Sequence, residues 1–215
     1  MFWILFLCKS LLTNYEKEVE LDFAIKVGDL YVDKTEVTNI HWLEFLYFKE
    51  MEGKERVNIP DPGINPHFRY PTNRWKPCTG ITYEQAVAYC KWRSAVLSAK
   101  MDRQVICRLP TSDEWDQIAN HLIDERMGFL KREMKRTRRF LSRHETSFAL
   151  LTFEKGSRTR VRHFFTNVSE MTSEKGVAKG GNNSRLINPE RNPGEIFHYS
   201  HPAKWLGFRC LTEVR

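Results

Sequence analysis

No cysteine lies between Gly181 and Cys210, and none of the five cysteines forms a CxxC pair. Their spacings do not suit a structural zinc site. HExxH is missing, and no two of the seven histidines stand four apart, which excludes the common helical zinc motifs. No apolar run reaches the roughly 18 residues expected of a transmembrane helix. Internal repeats and low-complexity tracts are absent, so solenoids and long linkers are excluded. Acidic residues all but vanish from 126 to 143. There Arg126, Lys131, Arg132, Lys135, Arg136, Arg138, Arg139 and Arg143 meet Glu133 alone, which accounts for the whole formal excess of +7. The rest of the chain is neutral, so any argument for a polyanionic partner must be local.

Positive charge is also missing ahead of the apolar start, Met1 to Cys8. That start resembles the apolar core of an export signal without its basic lead. Residues 1–16 are therefore read as a degenerate export signal, with an ordinary apolar strand as the alternative. Residues 17–215 are read as a single domain with a basic insertion at about 121–147.

What is present suits one buried core: 215 residues, 41% apolar and 13% aromatic. Alternation over Phe23, Ile25 and Val27, then Leu30 to Val32 after a Gly-Asp turn, predicts two strands within 23–37. Thr38 predicts the N-cap of a helix over 39–51 with Trp42, Phe45 and Leu46 on one face. Five of the nine prolines fall within 52–78, which predicts a loop. Thr82 with Gln85 forms a capping box for a helix over 83–99. Its expected inward stripe is Tyr83, Ala86, Val87, Cys90, Ser94 and Leu97. Val105 to Leu109 reads as a strand. Thr111 with Glu114 caps a third helix that turns Trp115, Ile118 and Ala119 inward. The basic stretch has a helical pattern, with Phe129, Leu130, Met134 and Leu141 to one side. Ser147 to Phe165 reads as two short strands, and the stretch from Gly181 to Lys204 as polar and turn-rich.

Several separated blocks resemble one family. They are Asp33 to Asn39; Gly80 to Tyr83 continuing through Ala88 to Trp92; Arg108 to Thr111 with Glu114-Trp115; Asn167 to Thr172; Gly180-Gly181; and Gly207 to Cys210. In this order they are similar to the formylglycine-generating enzyme, or sulfatase-modifying factor, superfamily. The resemblance spans roughly residues 30 to 212. It implies an α+β fold, an elaborated C-type-lectin-like domain with much irregular structure.

The active enzymes of that family oxidise a sulfatase cysteine to formylglycine, using copper held by two cysteines shortly after the Gly-Gly pair. By spacing, the resemblance places those positions on Arg185 and Glu190. Soft copper(I) needs thiolate or thioether ligands, so no copper and no oxidase chemistry are expected. The resemblance also implies a calcium site on Asn167 and Glu170, whose hard oxygens suit that ion. The alternative is that both simply hydrogen-bond the loop backbone and an arginine. A disulfide between Cys90 and Cys210 is implied in the same way. Cys78 and Cys107 would be left as a second pair, with buried free thiols as the alternative. Arg209 calls for an acidic partner, and Glu36 and Glu114 are read as structural; which glutamate it takes is left open.

Asn182, Asn183, His198, Tyr199, His201 and Trp205 form a candidate polar and aromatic ligand patch for an unidentified protein or glycan. Residues 126 to 143 read first as a solvated helix face, with an anion-binding surface for lipid or an acidic partner as the alternative. Sparse aromatics there (Phe129 and Phe140) argue against nucleic-acid base stacking. The reading is a non-oxidase binding or scaffold module placed in the periplasm or cell envelope, like the family's envelope lipoproteins. The alternative is an enzyme of altered chemistry using Arg185, Glu190, His198 and His201.

Overall fold

A computed structural model describes residues 21–54, 56–143 and 160–215. The apolar start and most of the two strands expected over 147–165 lie outside the described residues. Arg160 to Phe165 carry no strand.

Among the described residues, two four-stranded sheets and three α-helices make an α+β domain. The chain opens with β1 (Ala24–Val27) and β2 (Leu30–Asp33), joined through Gly28 at a φ of 59°. Helix α1 (Asn39–Met51) follows Thr38, whose hydroxyl and amide both meet His41 Nδ1, at 3.1 and 3.4 Å. Two single 3-10 turns interrupt the proline-rich loop. Helix α2 (Tyr83–Met101) starts on the expected capping box: Gln85 N donates to Thr82 Oγ1 at 3.2 Å, and Thr82 N donates to Gln85 Oε1 at 2.8 Å. Asp102 ends it in the left-handed region at a φ of 50°.

Strand β3 (Val105–Arg108) leads to α3 (Ser112–Leu141), capped by the second box of Thr111 and Glu114. The basic stretch continues this same helix after a break in helical geometry at Arg126, φ −137°. Then come β4 (Ser169–Met171), β5 (Val177–Lys179), β6 (Ile196–His198), β7 (Leu206–Gly207) and β8 (Leu211–Val214). Strand β6 falls in the segment expected to be polar and turn-rich. It pairs with β5 through Ala178 opposite Phe197.

The first sheet runs β1-β2-β8-β3, all antiparallel. The second runs β6-β5-β4-β7, with β4 and β7 parallel. Two apolar clusters fill the interior. One joins α1, α2 and the second sheet through Trp42, Phe45, Tyr89, Met171 and Phe208. The other packs α3 on the first sheet through Trp115, Ile118, Phe164, Phe165 and Leu211. Trp42 stacks on Tyr89 with centroids 5.6 Å apart, and Trp115 on Phe164 at 4.4 Å. Fully burying aromatic rings of this size contributes about 2–3 kcal/mol each.

The stripe expected on α2 is only partly correct. Tyr89 faces the core with Ala86 and Cys90, whereas Tyr83, Val87, Ser94 and Leu97 are half-buried. Ser94 serves the neighbouring strand instead, where its Oγ accepts from Cys107 N at 2.8 Å. Ser98 Oγ likewise accepts from Val105 N at 2.9 Å. The helix thus satisfies backbone donors of β3 that no neighbouring strand reaches.

Candidate functional site

The site is built where β2, β4 and the start of β8 meet α3. Arg209 and Glu170 lie here at 1% and 0% exposure. Arg209 donates through Nε and Nη2 to Glu170 Oε1, at 2.9 and 2.8 Å. Its Nη1 reaches the Asp33 carbonyl at 2.6 Å, and Nη2 also reaches the Arg162 carbonyl at 2.7 Å. Trp115 Nε1 donates to Glu170 Oε2 at 3.4 Å. Asn167, at a φ of 74°, donates through Nδ2 to Glu36 Oε1 at 2.9 Å. Burial pushes the Glu36 carboxyl up to about 8, against the pull of Arg209 and with Glu170 adding to the rise. Glu36 therefore carries a proton at neutral pH; burial raises the Glu170 carboxyl too, and the charge and hydrogen bonds of Arg209 oppose that rise.

These contacts identify the glutamate that Arg209 takes. It is Glu170, the residue the resemblance assigned to calcium. Glu114, read as structural, instead binds Arg108 with both oxygens at 2.6 Å. A calcium ion does not fit the arrangement. Both oxygens of Glu170 already accept hydrogen bonds, and a dication there would sit against a buried guanidinium. Among the described residues, no group of three His, Cys, Asp or Glu side chains is placed to hold a metal.

Gly180 and Gly181 frame the site for a steric reason. A Cβ on Gly180 would lie 2.8 Å from the Phe164 carbonyl, and one on Gly181 would lie 2.5 Å from the Phe165 carbonyl. The close approach lets the chain pass over the aromatic pair. It also turns Asn182 and Asn183 inward, to 3% and 7% exposure. Asn182 Nδ2 donates to Ser169 Oγ at 3.0 Å, and its Oδ1 accepts from the Ser184 and Arg185 amides. Asn183 N donates to the Asn167 carbonyl at 3.1 Å. Asn182 thus serves the loop through its side chain, and Asn183 through its backbone amide.

The rest of the patch is divided. His198 and His201 are exposed, and His201 Nδ1 lies 2.7 Å from Ser200 Oγ. Tyr199 and Trp205 are half-buried and pack on the first apolar cluster. Arg185 and Glu190 separate into unrelated ion pairs. Arg185 binds Glu195 and lies over the Phe197 ring at 5.4 Å, whereas Glu190 meets Lys131 on α3 at 2.7 Å.

All four cysteines of the described residues are buried thiols. Cys90 and Cys210 are in contact, with their sulfurs 3.6 Å apart, well beyond the ~2.05 Å of a disulfide. Cys107 lies on β3 against Thr212 Oγ1 at 3.4 Å, and Cys78 is a free thiol in the first cluster. The second disulfide is therefore not formed. Burial pushes the thiols of Cys78 and Cys210 well up and that of Cys107 to about 11.

One polar constellation has no local sequence signal. Arg93 on α2 forms a two-pronged ion pair with Asp33, at 2.5 and 2.8 Å, beneath the Phe23 ring. It lines a cavity of about 320 Å³ together with Glu36, His41 and Trp92. Burial pushes His41 down to about 4, and Arg93 adds to the effect. The 60 residues between Asp33 and Arg93 hid the pair, since no local pattern joins them. A second cavity, of about 390 Å³, lies between α2 and β3 and is bordered by Cys90, Cys107 and Arg108.

Fold and site together define a mixed α+β domain closed by the Gly-Phe-Arg-Cys segment that joins β7 to β8. The chain belongs to the sulfatase-modifying factor enzyme 1-like domain family, whose family model matches residues 13–214. A crystal structure of CarF superposes with a TM-score of 0.53 at 14% identity, covering 92% of this chain and 94% of that one. The structure of PvdO from Pseudomonas aeruginosa aligns at 14% identity and a TM-score of 0.44, over 86% of this chain and 80% of that one. The likeness to CarF is one of fold alone. No curated protein sequence matches the chain.

Proposed function

We propose that this domain is a binding or scaffold module of its family, without the oxidase chemistry of the formylglycine-generating enzymes. The supporting observation is the content of the segment after Gly180-Gly181. It carries no thiol up to Cys210, and Arg185 and Glu190 are committed to ion pairs with Glu195 and Lys131. A guanidinium is not a copper ligand, and one carboxylate suits harder ions. The cysteines of the described core are all buried, and burial raises the thiols of Cys78, Cys107 and Cys210, which disfavours the thiolate that copper chemistry requires. The Arg209–Glu170 pair is spent on holding the loops together. What the domain presents is the exposed rim of His198 and His201 over half-buried Tyr199 and Trp205, a surface suited to a protein or glycan partner outside the cytoplasm. Incubation with copper(I) and a cysteine-bearing sulfatase peptide tests the proposal: the peptide should stay unchanged, and turnover to formylglycine would sink it.

A second reading rests on the cavity beside Arg93. A carboxyl raised to about 8 at a cleft wall is the kind of group that enzymes use as a general acid. Exchange of Glu36 for Gln should leave partner binding intact under the first reading and abolish any turnover under the second.

A further inference from the structure

The solvent face of the second half of α3 is separate from the rim proposed above. Lys131, Arg132, Lys135, Arg136, Arg138, Arg139 and Arg143 are all exposed, whereas Leu130, Glu133, Met134 and Thr137 are buried. At about 100° per residue the six cations within the helix, Lys131 to Arg139, cover roughly 160° of it, opposite the buried stripe, and Arg143 follows in the turn beyond Leu141. The six extend over about 12 Å at 1.5 Å per residue. The one acidic residue of the stretch, Glu133, is turned inward, where its Oε2 accepts from His163 N at 3.1 Å. Lys131 alone is neutralised, by Glu190. Among the described residues the other six make no ion pair, and five of them are arginines.

We infer that this face docks the domain onto an anionic phospholipid surface. Two observations choose a bilayer over a nucleic acid. First, the helix is bedded along its inner side by Leu130, Glu133, Met134 and Thr137, so it presents a ridge. A ridge lies well on a plane of headgroups, whereas reading a duplex calls for a helix free to descend about 8.5 Å into a groove. Second, the exposed large apolar side chains of the described residues all lie elsewhere, so the face neither inserts into hydrocarbon nor stacks bases. Phe129 is half-buried beneath Arg160 and Arg162. Guanidinium groups reinforce the choice, because their paired donors match phosphate oxygens.

The test is co-sedimentation of the full chain with vesicles of phosphatidylcholine, with or without about 30% phosphatidylglycerol. Binding should require the anionic lipid and fall at least tenfold when salt rises from about 0.05 to 0.5 M, as screening dictates. The double variant R136E/R139E should bind at least tenfold more weakly. The milder R136Q/R139Q should fall in between, which keeps the test valid if charge reversal disturbs folding. A control with the same change in net charge, K100E/R103E on exposed positions around the end of α2, should bind like the parent. The inference is overturned if neutral vesicles bind equally, if both reversal pairs weaken binding alike, or if a short DNA duplex binds more tightly at equal phosphate.

Discussion

Arg209 gives two hydrogen bonds to a single oxygen of Glu170, with the two side chains 2% and 1% exposed. This pair ties the β4 strand to the segment between β7 and β8, and the same guanidinium clamps β2 and the loop at Arg162 through carbonyls. Arg209→Met should cost about 3–5 kcal/mol, because it strands a buried carboxylate. Glu170→Gln leaves the buried guanidinium without its counter-ion and should cost a comparable amount. Urea unfolding of both variants decides; a near-neutral effect of either would contradict the assignment.

The Glu133 contribution to stability should fall as pH rises from about 4.5 to about 7. Burial raises Glu133 from 4.5 to about 7, against the pull of its hydrogen bond from His163 N and of the arginine charge of Arg162, Arg209 and Arg136. A carboxyl with a raised folded pKa holds its proton more tightly when folded. Its contribution is complete below about pH 4.5 and is lost as pH rises to about 7. The loss is on the order of 3 kcal/mol. Glu133→Gln should remove this slope, so parent and variant curves should diverge between those pH values and run parallel above. Parallel curves throughout would contradict the buried placement of Glu133.

The thiols give a third prediction. In native protein Cys78, Cys90, Cys107 and Cys210 should resist a bulky maleimide, since all four are buried. Mild oxidation should link Cys90 to Cys210, whose sulfurs are already in contact across 120 residues of chain. Closing so long a loop would add up to roughly 5 kcal/mol if unstrained. Peptide mapping under non-reducing conditions reads the pairing directly. A Cys78–Cys107 crosslink would contradict the structure.

Gly181→Ala should destabilise the domain by about 2 kcal/mol or more, because the new methyl meets backbone atoms on two sides. The effect should exceed that of Gly28→Ala, where nothing lies within 4 Å. Thermal melts of the two variants compare them. Equal losses would mean that the close approach at Gly181 is relaxed in solution.

The legible parts of this fold are local ones. Thr82 with Gln85 and Thr111 with Glu114 announce their helices because both partners of each capping box lie within one helical turn. The aromatic face of α1 is legible for the same reason, through its helical spacing. Asn182 and Asn183 mislead because polar, turn-forming residues usually face water, and here a Gly-Gly close approach folds them under the surface. Strand β6 is hidden because its three residues give too short a pattern. The partner of Arg209 could not be found, since Glu170 is 39 residues away and other acidic groups were equally plausible by type. Asp33 and Arg93 are invisible on the same grounds, and with them the cavity they line.

The central claim is that the family fold persists here without its oxidation reaction. The most direct measurement is mass spectrometry of a cysteine-containing sulfatase peptide after incubation with the copper-supplemented protein under oxygen. The account predicts that the cysteine is recovered intact, and that copper(I) binds no more tightly than to a variant with Arg185 and Glu190 both exchanged for alanine. Conversion of the cysteine to formylglycine would contradict it.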